Sequence, residues 1–371
     1  MKILHINRNY VSSPLHQVMV QHLNKLELEN YVFCPTESDD IALSINNANV
    51  YIKKCFNYLD RYVYWFKQWK IKKALEDTLD LKQFYCIHAY TLFTDGNCAM
   101  NLSKKYGIPY VVAIRNTDVN AFFKKMPLLR KRGIEIMKNA SAVFFLSSTY
   151  KKQVFEKYVP PRYKTELLNK TYIIPNGIDE FWHNNRFISK NIDINVDRIN
   201  NKELNLIYVG RIDKNKNIIS TCKAVDVLIK NGWKVKFYVI GQIDDNIEFN
   251  KIKDCITYYP HKDKETLLHM YRKADIFIMP SHKETFGLVY AEAMSQGIPV
   301  LYTKNQGFDG QFEDGYVGYS VLDTDVNDIV DKIEKCVENY SDICLRCIQA
   351  SSVFDWDELC GMYNKIYKQL L

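Results

Sequence analysis

The chain has 371 residues, of which 47% are hydrophobic and 25% charged, which is typical of a soluble globular protein with about two domains. No apolar run approaches the roughly 18 to 20 residues of a membrane-spanning helix, which excludes an integral membrane protein, and Met1–Ile6 is typical of a first strand rather than a signal peptide. We therefore expect a cytoplasmic protein whose ten cysteines remain free thiols.

The formal net charge of +7 is unevenly distributed along the chain. Residues 1–178 carry a formal charge of +12, and residues 179–371 carry −5. The basic half contains no nucleic-acid-binding motif, so we expect no nucleic acid as a partner. Its charge indicates an anionic membrane surface or a phosphorylated acceptor, although a solvated lysine-rich face is the more common reason for such a bias.

The first half alternates short apolar runs with helix-length segments. This alternation predicts a doubly wound parallel sheet, in which the carboxyl ends of the strands form a ligand crevice. The predicted strands are Lys2–Ile6, Tyr31–Cys34, Phe84–His88, Tyr110–Ile114 and Ala142–Leu146.

Two segments of the first half combine aromatic and basic residues. Phe56–Leu75, which we predict to be helical, interleaves aromatic residues with lysines, and Phe122–Arg132 is both basic and apolar. Both resemble elements that lie at a membrane interface, with aromatic rings at headgroup depth and lysines toward anionic lipid. The alternative is an ordinary core helix with a solvated face; we favour the membrane interpretation.

Residues 171–205 form the predicted boundary, since Tyr172–Asp179 ends a strand in Pro-Asn-Gly turn chemistry and Phe187–Glu203 is aperiodic and rich in asparagine. The second half then repeats the alternation of strands and helices. Its predicted elements are strands Leu204–Val209, Lys234–Ile240, Ile256–Tyr259, Ala274–Met279 and Pro299–Tyr302, with helices at Asn217–Asn231 and Lys264–Lys273.

Two loops of the second half indicate an anion site. Leu204–Val209 is followed by Gly210 and Arg211, with Lys216 five residues later, so both cations can reach one anion from the loop. The stretch Pro280–Gly297 reads as a loop and then a helix, whose N-terminal N–H groups favour a phosphate.

Two carboxylates accompany this anion site. Glu284 lies in the loop and Glu292 in the helix, where they suit the neutral hydroxyls of a sugar and a ribose next to a phosphate. The alternative is that Glu284 caps the helix and Glu292 is a solvated helix residue.

Taken together, these motifs resemble the family 4 retaining glycosyltransferases of the GT-B fold. The resemblance covers nearly the whole chain, in the order PNGID at 175–179, VGRIDKNK at 209–216, VIG at 239–241, ADIFIMPS at 274–281, the Glu284 and Glu292 pair, GIPV at 297–300 and FDWDELCGMYNKIY at 354–367. It implies an α/β protein with two Rossmann-like, doubly wound parallel-sheet domains facing across a cleft. Residues 1–178 with a C-terminal helix at 355–371 would form the acceptor-side domain, and residues 179–354 would bind a nucleotide-sugar donor.

The resemblance also implies roles for single residues. Glu284 would contact the hydroxyls of the donor sugar, and Glu292 would contact the ribose. The donor diphosphate would be held by Arg211 and Lys216 beside Gly210, and by the backbone N–H groups of Phe286, Gly287 and Leu288.

The chain departs from the family pattern in two places. Asn7–His16 contains no glycine, although members often carry a glycine-rich loop after the first strand. The histidine that the family carries after its fourth strand is replaced by Arg115, which stays charged and cannot transfer a proton at neutral pH. A proton-transferring role would then belong to Asp118, to His88 or to the leaving phosphate, and Asp118 can equally be a helix cap.

We therefore expect a retaining hexosyltransferase that moves a sugar from a nucleotide sugar to a lipid-linked glycan acceptor in surface polysaccharide biosynthesis, peripheral at the inner face of the membrane. No cofactor or metal is expected, since fixed cations can stabilise the leaving diphosphate and the Asp-x-Asp pairs at 323/325 and 355/357 look like helix starts. The alternatives are a catalytically silent sugar-nucleotide-binding protein and a nucleotide-sugar epimerase of the same fold. Base selectivity would be set near Gln242, Tyr258, Tyr259 and His261.

Overall fold

The computed structural model describes residues 1–38, 49–187, 192–244 and 249–370. The chain divides into two compact units. The first consists of Met1–Leu146, Tyr150–Asn176 and the C-terminal residues from Trp356, and the second of Ser147–Thr149 and Gly177–Asp355. The main divisions thus fall at 176/177 and 355/356, close to the boundaries at 178/179 and 354/355 that the sequence predicts.

The first unit is built on a parallel sheet that has seven strands within the described residues. All five strands predicted for this half are confirmed, with small shifts of their ends. Val50–Lys54 was not predicted, because this short edge strand contains no buried residue and ends in two exposed lysines. The strands are β1 Lys2–Ile6, β2 Glu29–Thr36, β3 Val50–Lys54, β4 Cys86–Ala89, β5 Tyr110–Ile114, β6 Ala142–Phe145 and β7 Thr171–Ile173, in the order β3-β2-β1-β4-β5-β6-β7.

Helices cover both faces of this sheet, because neighbouring residues of a strand point to opposite sides. Leu4 and Ile6 of β1 belong to the core beneath the helices 64–78, 95–106 and 130–139. Ile3 belongs to the core beneath the first helix and the C-terminal helix. The helices are α1 Pro14–Asn24, α2 Tyr64–Thr78, α3 Asp95–Tyr106, α4 Arg130–Asn139, α5 Ser148–Lys157, α6 Pro161–Leu168 and the C-terminal helix Trp356–Lys368.

The prediction of one helix over Phe56–Leu75 is wrong in the extent of that helix. The segment forms a short 3₁₀ helix at Leu59–Tyr62, and α2 begins only at Tyr64. Val63 between them has φ −116° and ψ 80°, outside the helical region, so the two pieces are separate. Within the described part of the chain, no helix combines the length and the apolar character needed to cross a membrane.

The second unit contains a parallel sheet with six strands among its described residues. Its predicted strands are confirmed, and the short strand Gly318–Val321 is added at one edge. The strands are β8 Glu203–Val209, β9 Lys234–Ile240, β10 Thr257–Tyr259, β11 Ile276–Met279, β12 Val300–Thr303 and β13 Gly318–Val321. The helices are α7 Glu180–Asn184, α8 Ile192–Asn200, α9 Ile218–Lys230, α10 Lys264–Tyr271, α11 Leu288–Ser295, α12 Val326–Glu338 and α13 Tyr340–Ala350.

The strand order of the second sheet, β10-β9-β8-β11-β12-β13, reverses between β8 and β11. The chain moves outward from β8 to β9 and β10 and then returns to β11 on the other side. In a doubly wound sheet, the loops that follow the two strands at such a reversal diverge and leave a crevice for a ligand. Here those loops begin at Gly210 and at Pro280.

Candidate functional site

A cavity of about 320 Å³ lies in the second unit, at the carboxyl ends of β8 and β9. Its walls come from the loops after β8, β9 and β10 and from α10 and α11. Gly241 has φ +149°, and a Cβ atom there would overlap the carbonyl oxygen of Gly210. Glycine at position 241 therefore lets the backbone after β9 approach the backbone after β8 closely. The side chains that line the cavity include Arg211, Gln242, His261, Leu267 and Glu292.

Lys216 and Glu284 form an ion pair beside this cavity. Lys216 Nζ lies 2.6 Å from Glu284 Oε2, and both side chains are mostly buried. Lys216 ends a short 3₁₀ turn, and the backbone N–H of Lys216 donates to the Asp213 carboxylate at 3.0 Å. The two loops predicted to share an anion site are therefore in direct contact.

Asn215 joins the same two loops through the backbone. Its side-chain amide donates to the carbonyl oxygen of Lys283 at 2.8 Å, and its side-chain oxygen accepts from the N–H of Lys283 at 3.1 Å. The N–H of Glu284 donates to the side-chain oxygen of Gln306 at 3.1 Å. Both ends of the Lys216–Glu284 pair are thus fixed by backbone contacts.

The helix-cap alternative for Glu284 is not supported by the geometry of α11. The helix begins at Leu288, and its N-cap residue is Gly287, with no side-chain cap. Gly287 has φ +75°, and a Cβ atom there would overlap the ring of Tyr290, so glycine is needed at this entry to the helix. The N–H of Tyr290 donates to the carbonyl oxygen of Gly287 at 3.0 Å. The first N–H groups of a helix precede its regular backbone ladder and can bind an anion at the helix N-terminus.

Arg211 occupies the rim of the cavity and is 65% exposed in its side chain. Its guanidinium Nε donates to Asp213 Oδ2 at 3.1 Å. Asp213 therefore holds Arg211 with one oxygen and the turn ending in Lys216 with the other. Sequence reasoning did not single out Asp213, although an acidic residue three positions before Lys216 is a helix-cap signal.

Glu292 lines the cavity from α11 and is partly buried, so the alternative of a solvated helix residue is wrong. Burial raises the pKa of its carboxyl group to about 7, an effect that Lys264 opposes and Asp179 reinforces. Lys264 and Asp179 are themselves paired, and Asp179 caps α7 by accepting from the N–H of Phe181. Near neutral pH, Glu292 is therefore close to its midpoint of ionisation.

In the first unit, Arg115 follows β5 and is partly buried. Its guanidinium donates to the side chain of Asn176 at 3.0 Å and to the carbonyl oxygen of Tyr90 at 3.4 Å. The site residue Arg115 is thus anchored by neutral acceptors, which leaves its positive charge uncompensated by these contacts.

Asp118 fastens the loop after β4 to the loop after β5. Its carboxylate accepts from the backbone N–H groups of Leu92, Phe93 and Arg115 at 3.1, 3.2 and 2.9 Å. Burial raises the pKa of Asp118 to about 6, although the three N–H donors oppose the shift. Asp118 opens the π-helical segment Asp118–Phe123, but its side chain bonds to neighbouring loops rather than acting as a simple helix cap.

Of the three candidates for the acceptor proton, His88 is disfavoured by its burial. His88 is fully buried, stacks on Tyr90 with the ring centroids 4.5 Å apart, and pairs with the hydroxyl of Tyr367 at 2.6 Å. This histidine is therefore part of the core between the sheet and the C-terminal helix and is not exposed to solvent.

A different histidine, which sequence reasoning passed over, lies next to the Arg115 region. His16 begins α1 and packs edge-on against Tyr90 with centroids 4.9 Å apart. Burial and the charge of Arg115 lower its pKa to about 3, so its imidazole stays neutral. Both Asp-x-Asp motifs lie at helix starts, as predicted. Asp325 caps α12, and Asp357 lies in the first turn of the C-terminal helix, where it pairs with His22 at 2.6 Å.

Two protein families have models that match this chain. "Glycosyl transferases group 1" matches residues 189–352, and "Glycosyltransferase Family 4" matches residues 17–180. The capsular polysaccharide biosynthesis glycosyltransferase CapM of Staphylococcus aureus is 30% identical over 181 residues, which are 44% of this chain and 46% of CapM. The alpha-monoglucosyldiacylglycerol synthase of Acholeplasma laidlawii is 25% identical over 62% of each chain.

The fold has close counterparts among solved structures. The structure of HepE from Anabaena in complex with UDP aligns over 100% of both chains with a TM-score of 0.74 and 15% identity. Among the curated relatives, the first matches span about half of the relative's length. The GT-B fold is thus shared over the full length, and sequence similarity over part of it.

Proposed function

Because this chain belongs to the family 4 glycosyltransferases, which have the GT-B fold, we propose that it transfers a sugar from a nucleotide sugar to a lipid-linked glycan acceptor. The observation that carries this proposal is the Lys216–Glu284 pair at the N-terminus of α11, next to the 320 Å³ cavity. A cation, a carboxylate and helix N–H groups in one place match the phosphate and the hydroxyls of a nucleotide sugar.

On the donor side, the cavity takes the nucleoside and the ion pair takes the sugar diphosphate. Gln242 and His261 line the cavity where a base would be recognised, and Glu292 lies where a ribose can donate its hydroxyls. Lys216, Arg211 and the backbone from Phe286 to Leu288 would hold the diphosphate. HepE is crystallised with UDP and with UDP-glucose, which makes uridine nucleotides the first donors to test.

In the reaction, the bond between the anomeric carbon and the phosphate oxygen breaks, and the acceptor oxygen bonds to the same face of that carbon. Lys216 and Arg211 stabilise the negative charge that develops on the diphosphate, so no metal ion is required for this task. Glu284 orients the sugar hydroxyls once Lys216 turns to the phosphate. The products are a nucleoside diphosphate and a sugar linked with retained configuration.

The departing phosphate oxygen takes the acceptor proton in this proposal. Arg115 remains charged at neutral pH, His88 lies in the core, and Asp118 already accepts three backbone N–H groups. These three observations support a proton transfer within the substrate pair, as in a front-face retaining mechanism.

The acceptor class is supported by the relatives. CapM is named for capsular polysaccharide biosynthesis, and the Acholeplasma laidlawii enzyme glycosylates a diacylglycerol lipid by its name. We further propose that the protein works in the cytoplasm, peripheral at the inner face of the membrane. Its ten cysteines are all free thiols, as expected in a reducing compartment.

The test is nucleoside diphosphate release from a panel of uridine, guanosine and adenosine diphosphate sugars, measured with and without a membrane lipid extract. A transferase releases diphosphate with one donor and does so faster with extract, and the labelled sugar moves into the lipid fraction. Nuclear magnetic resonance of the product reports retention or inversion at the anomeric carbon.

Other outcomes identify the alternatives. Tight donor binding without any turnover supports a silent sugar-nucleotide-binding protein. Conversion of the donor to its epimer without an acceptor supports an epimerase. Loss of turnover on removal of divalent ions with a chelator contradicts the metal-independent mechanism.

A further inference from the structure

The first unit carries an unusual concentration of exposed apolar side chains. Among the described residues, nine of the sixteen large hydrophobic side chains that are exposed lie in 58–69 and 126–128. Leu128 is 94% exposed and Tyr62 is 75% exposed. We define residues 58–73 and 124–132 as the interfacial surface. A core helix with a solvated face would hide these rings, so that alternative fails for this part of the chain.

The two segments of the interfacial surface touch each other. The guanidinium of Arg132 lies over the ring of Trp65, 5.3 Å from its centroid. Arg132 is held in place by hydrogen bonds to Asn97 and Asn101 of α3 and by an ion pair with Glu135. The apolar and basic residues, which are separated by more than fifty positions in sequence, therefore form one continuous surface.

Basic groups surround the exposed rings. Phe66 and Trp69 stack with their centroids 5.8 Å apart, and the ammonium groups of Lys70 and Lys73 lie over these two rings. Residues 124–132 contain five basic and no acidic residues, and Lys124, Lys125 and Lys131 are exposed. Rings at the level of a headgroup with lysines beside them are what an anionic bilayer accommodates.

We propose that the interfacial surface docks on a bilayer that contains anionic lipid. The charge is complementary to that of the headgroups, and the exposed rings supply the apolar contact that charge alone lacks. The purpose of docking rests on the proposed function, because docking would bring the enzyme to a lipid-linked acceptor.

The interfacial surface is connected to the Asp118 loop through Phe93. The hydroxyl of Tyr64, at the start of α2, donates to the carbonyl oxygen of Phe93 at 2.6 Å. The ring of Phe93 stacks on Phe122 at 4.7 Å, and its N–H is one of the three donors to Asp118. A docked bilayer would therefore lie beside the loops that carry Arg115 and Asp118.

The test measures co-sedimentation with vesicles of phosphatidylcholine, alone or mixed with phosphatidylglycerol, in the absence of any donor. The variant changes Lys124, Lys125 and Lys131 to Gln, sparing Arg130 and Arg132, which bond to neighbouring residues. Affinity for the anionic vesicles falls on the order of 100-fold at low salt. The matched control changes Lys25, Lys365 and Lys368 to Gln, since these lie on the opposite face of the sheet, and it binds as the unaltered protein does.

A second pair of variants tests the apolar contact. Trp69→Gln and Leu128→Gln lower affinity on the order of tenfold at high salt, whereas Met362→Gln, exposed on the C-terminal helix, does not. Equal losses in both lysine triples mean that only net charge matters and overturn the proposal. A second result would also overturn the proposal. If the protein dimerises in the absence of vesicles and Trp69→Gln abolishes the dimer, the interfacial surface binds a second copy of the chain rather than a bilayer. Failure of transfer with intact vesicle binding contradicts the proposed function and leaves the docking surface standing.

Discussion

Lys216 Nζ lies 2.6 Å from Glu284 Oε2, so the cation assigned to the leaving group is already paired with the carboxylate assigned to the sugar. If the proposed function is right, a bound diphosphate would compete for this lysine, and the sugar hydroxyls would compete for this carboxylate. Donor binding would then exchange one ion pair for two interactions with the substrate, and each partner would hold the other in place until the donor binds.

Lys216→Ala removes this cation from the site. We expect kcat to fall on the order of 100- to 1,000-fold, as for loss of one preorganised transition-state donor. The exposed neighbour Lys214, which is in the same turn, supplies the matched control, and Lys214→Ala keeps normal turnover. Steady-state kinetics on folded proteins decide this, and near-normal turnover in Lys216→Ala removes its role at the phosphate.

Glu284→Gln and Glu292→Gln separate the two carboxylates. Glu292→Gln weakens binding of free nucleoside diphosphate, because Glu292 lines the nucleoside cavity. Glu284→Gln lowers transfer more than diphosphate affinity, because its carboxylate would contact the sugar that free diphosphate lacks. Calorimetric titration of both variants with free diphosphate measures the difference. Equal losses of affinity in the two variants contradict the assignment.

The sequence predicted the strands of the second unit well, since they are short apolar runs bounded by turn residues. The aperiodic linker predicted over Phe187–Glu203 is wrong, because this segment contains α8. The predicted strand ends also placed three site residues on the same edge of the sheet, because the carboxyl ends of parallel strands share one edge. These residues are Gly210, Lys216 and Glu284. The pairing of Lys216 with Glu284 could not be predicted in the same way. It depends on Asn215 and Gln306, whose contacts with the backbone have no sequence pattern.

The first unit shows where pattern reasoning fails. His88 looked like a candidate proton carrier because it ends a strand, yet it packs against Tyr90 and Tyr367 in the core. The histidine whose pKa is lowered by Arg115 is His16, and an electrostatic interaction between residues ninety-nine positions apart leaves no trace in local periodicity. The break at Val63 was also missed, because the aromatic pattern continues through it.

Histidine burial predicts an acid-sensitive fold. Burial lowers the pKa of His5 from its ordinary 6.5 to about 4. Between pH 4 and pH 6.5, His5 is therefore mostly protonated in the unfolded chain and mostly neutral in the folded chain. Stability is therefore fully present above about pH 6.5 and falls as the pH drops toward 4, by about 3 kcal/mol for this residue. Urea unfolding at a series of pH values measures the slope. His5→Gln reduces the slope without abolishing it, because burial also lowers the pKa values of His16 and His88. An unchanged slope in this variant contradicts the assignment to His5.

The raised pKa of Glu292 predicts that donor binding also strengthens as the pH rises, but around pH 7 rather than between pH 4 and 6.5. Its pKa is raised to about 7, so its carboxyl group is largely protonated at pH 6 and largely ionised at pH 8. An ionised carboxylate accepts both ribose hydroxyls more strongly than a neutral acid does, so donor affinity rises as the pH increases through 7. Binding of an intact nucleotide sugar is the measurement, because its phosphates do not titrate in this range and free diphosphate does. Glu292→Gln removes the pH dependence while Glu284→Gln keeps it, and a nucleotide-sugar affinity that stays constant from pH 6 to 8 in the unaltered protein contradicts a ribose contact through the ionised group.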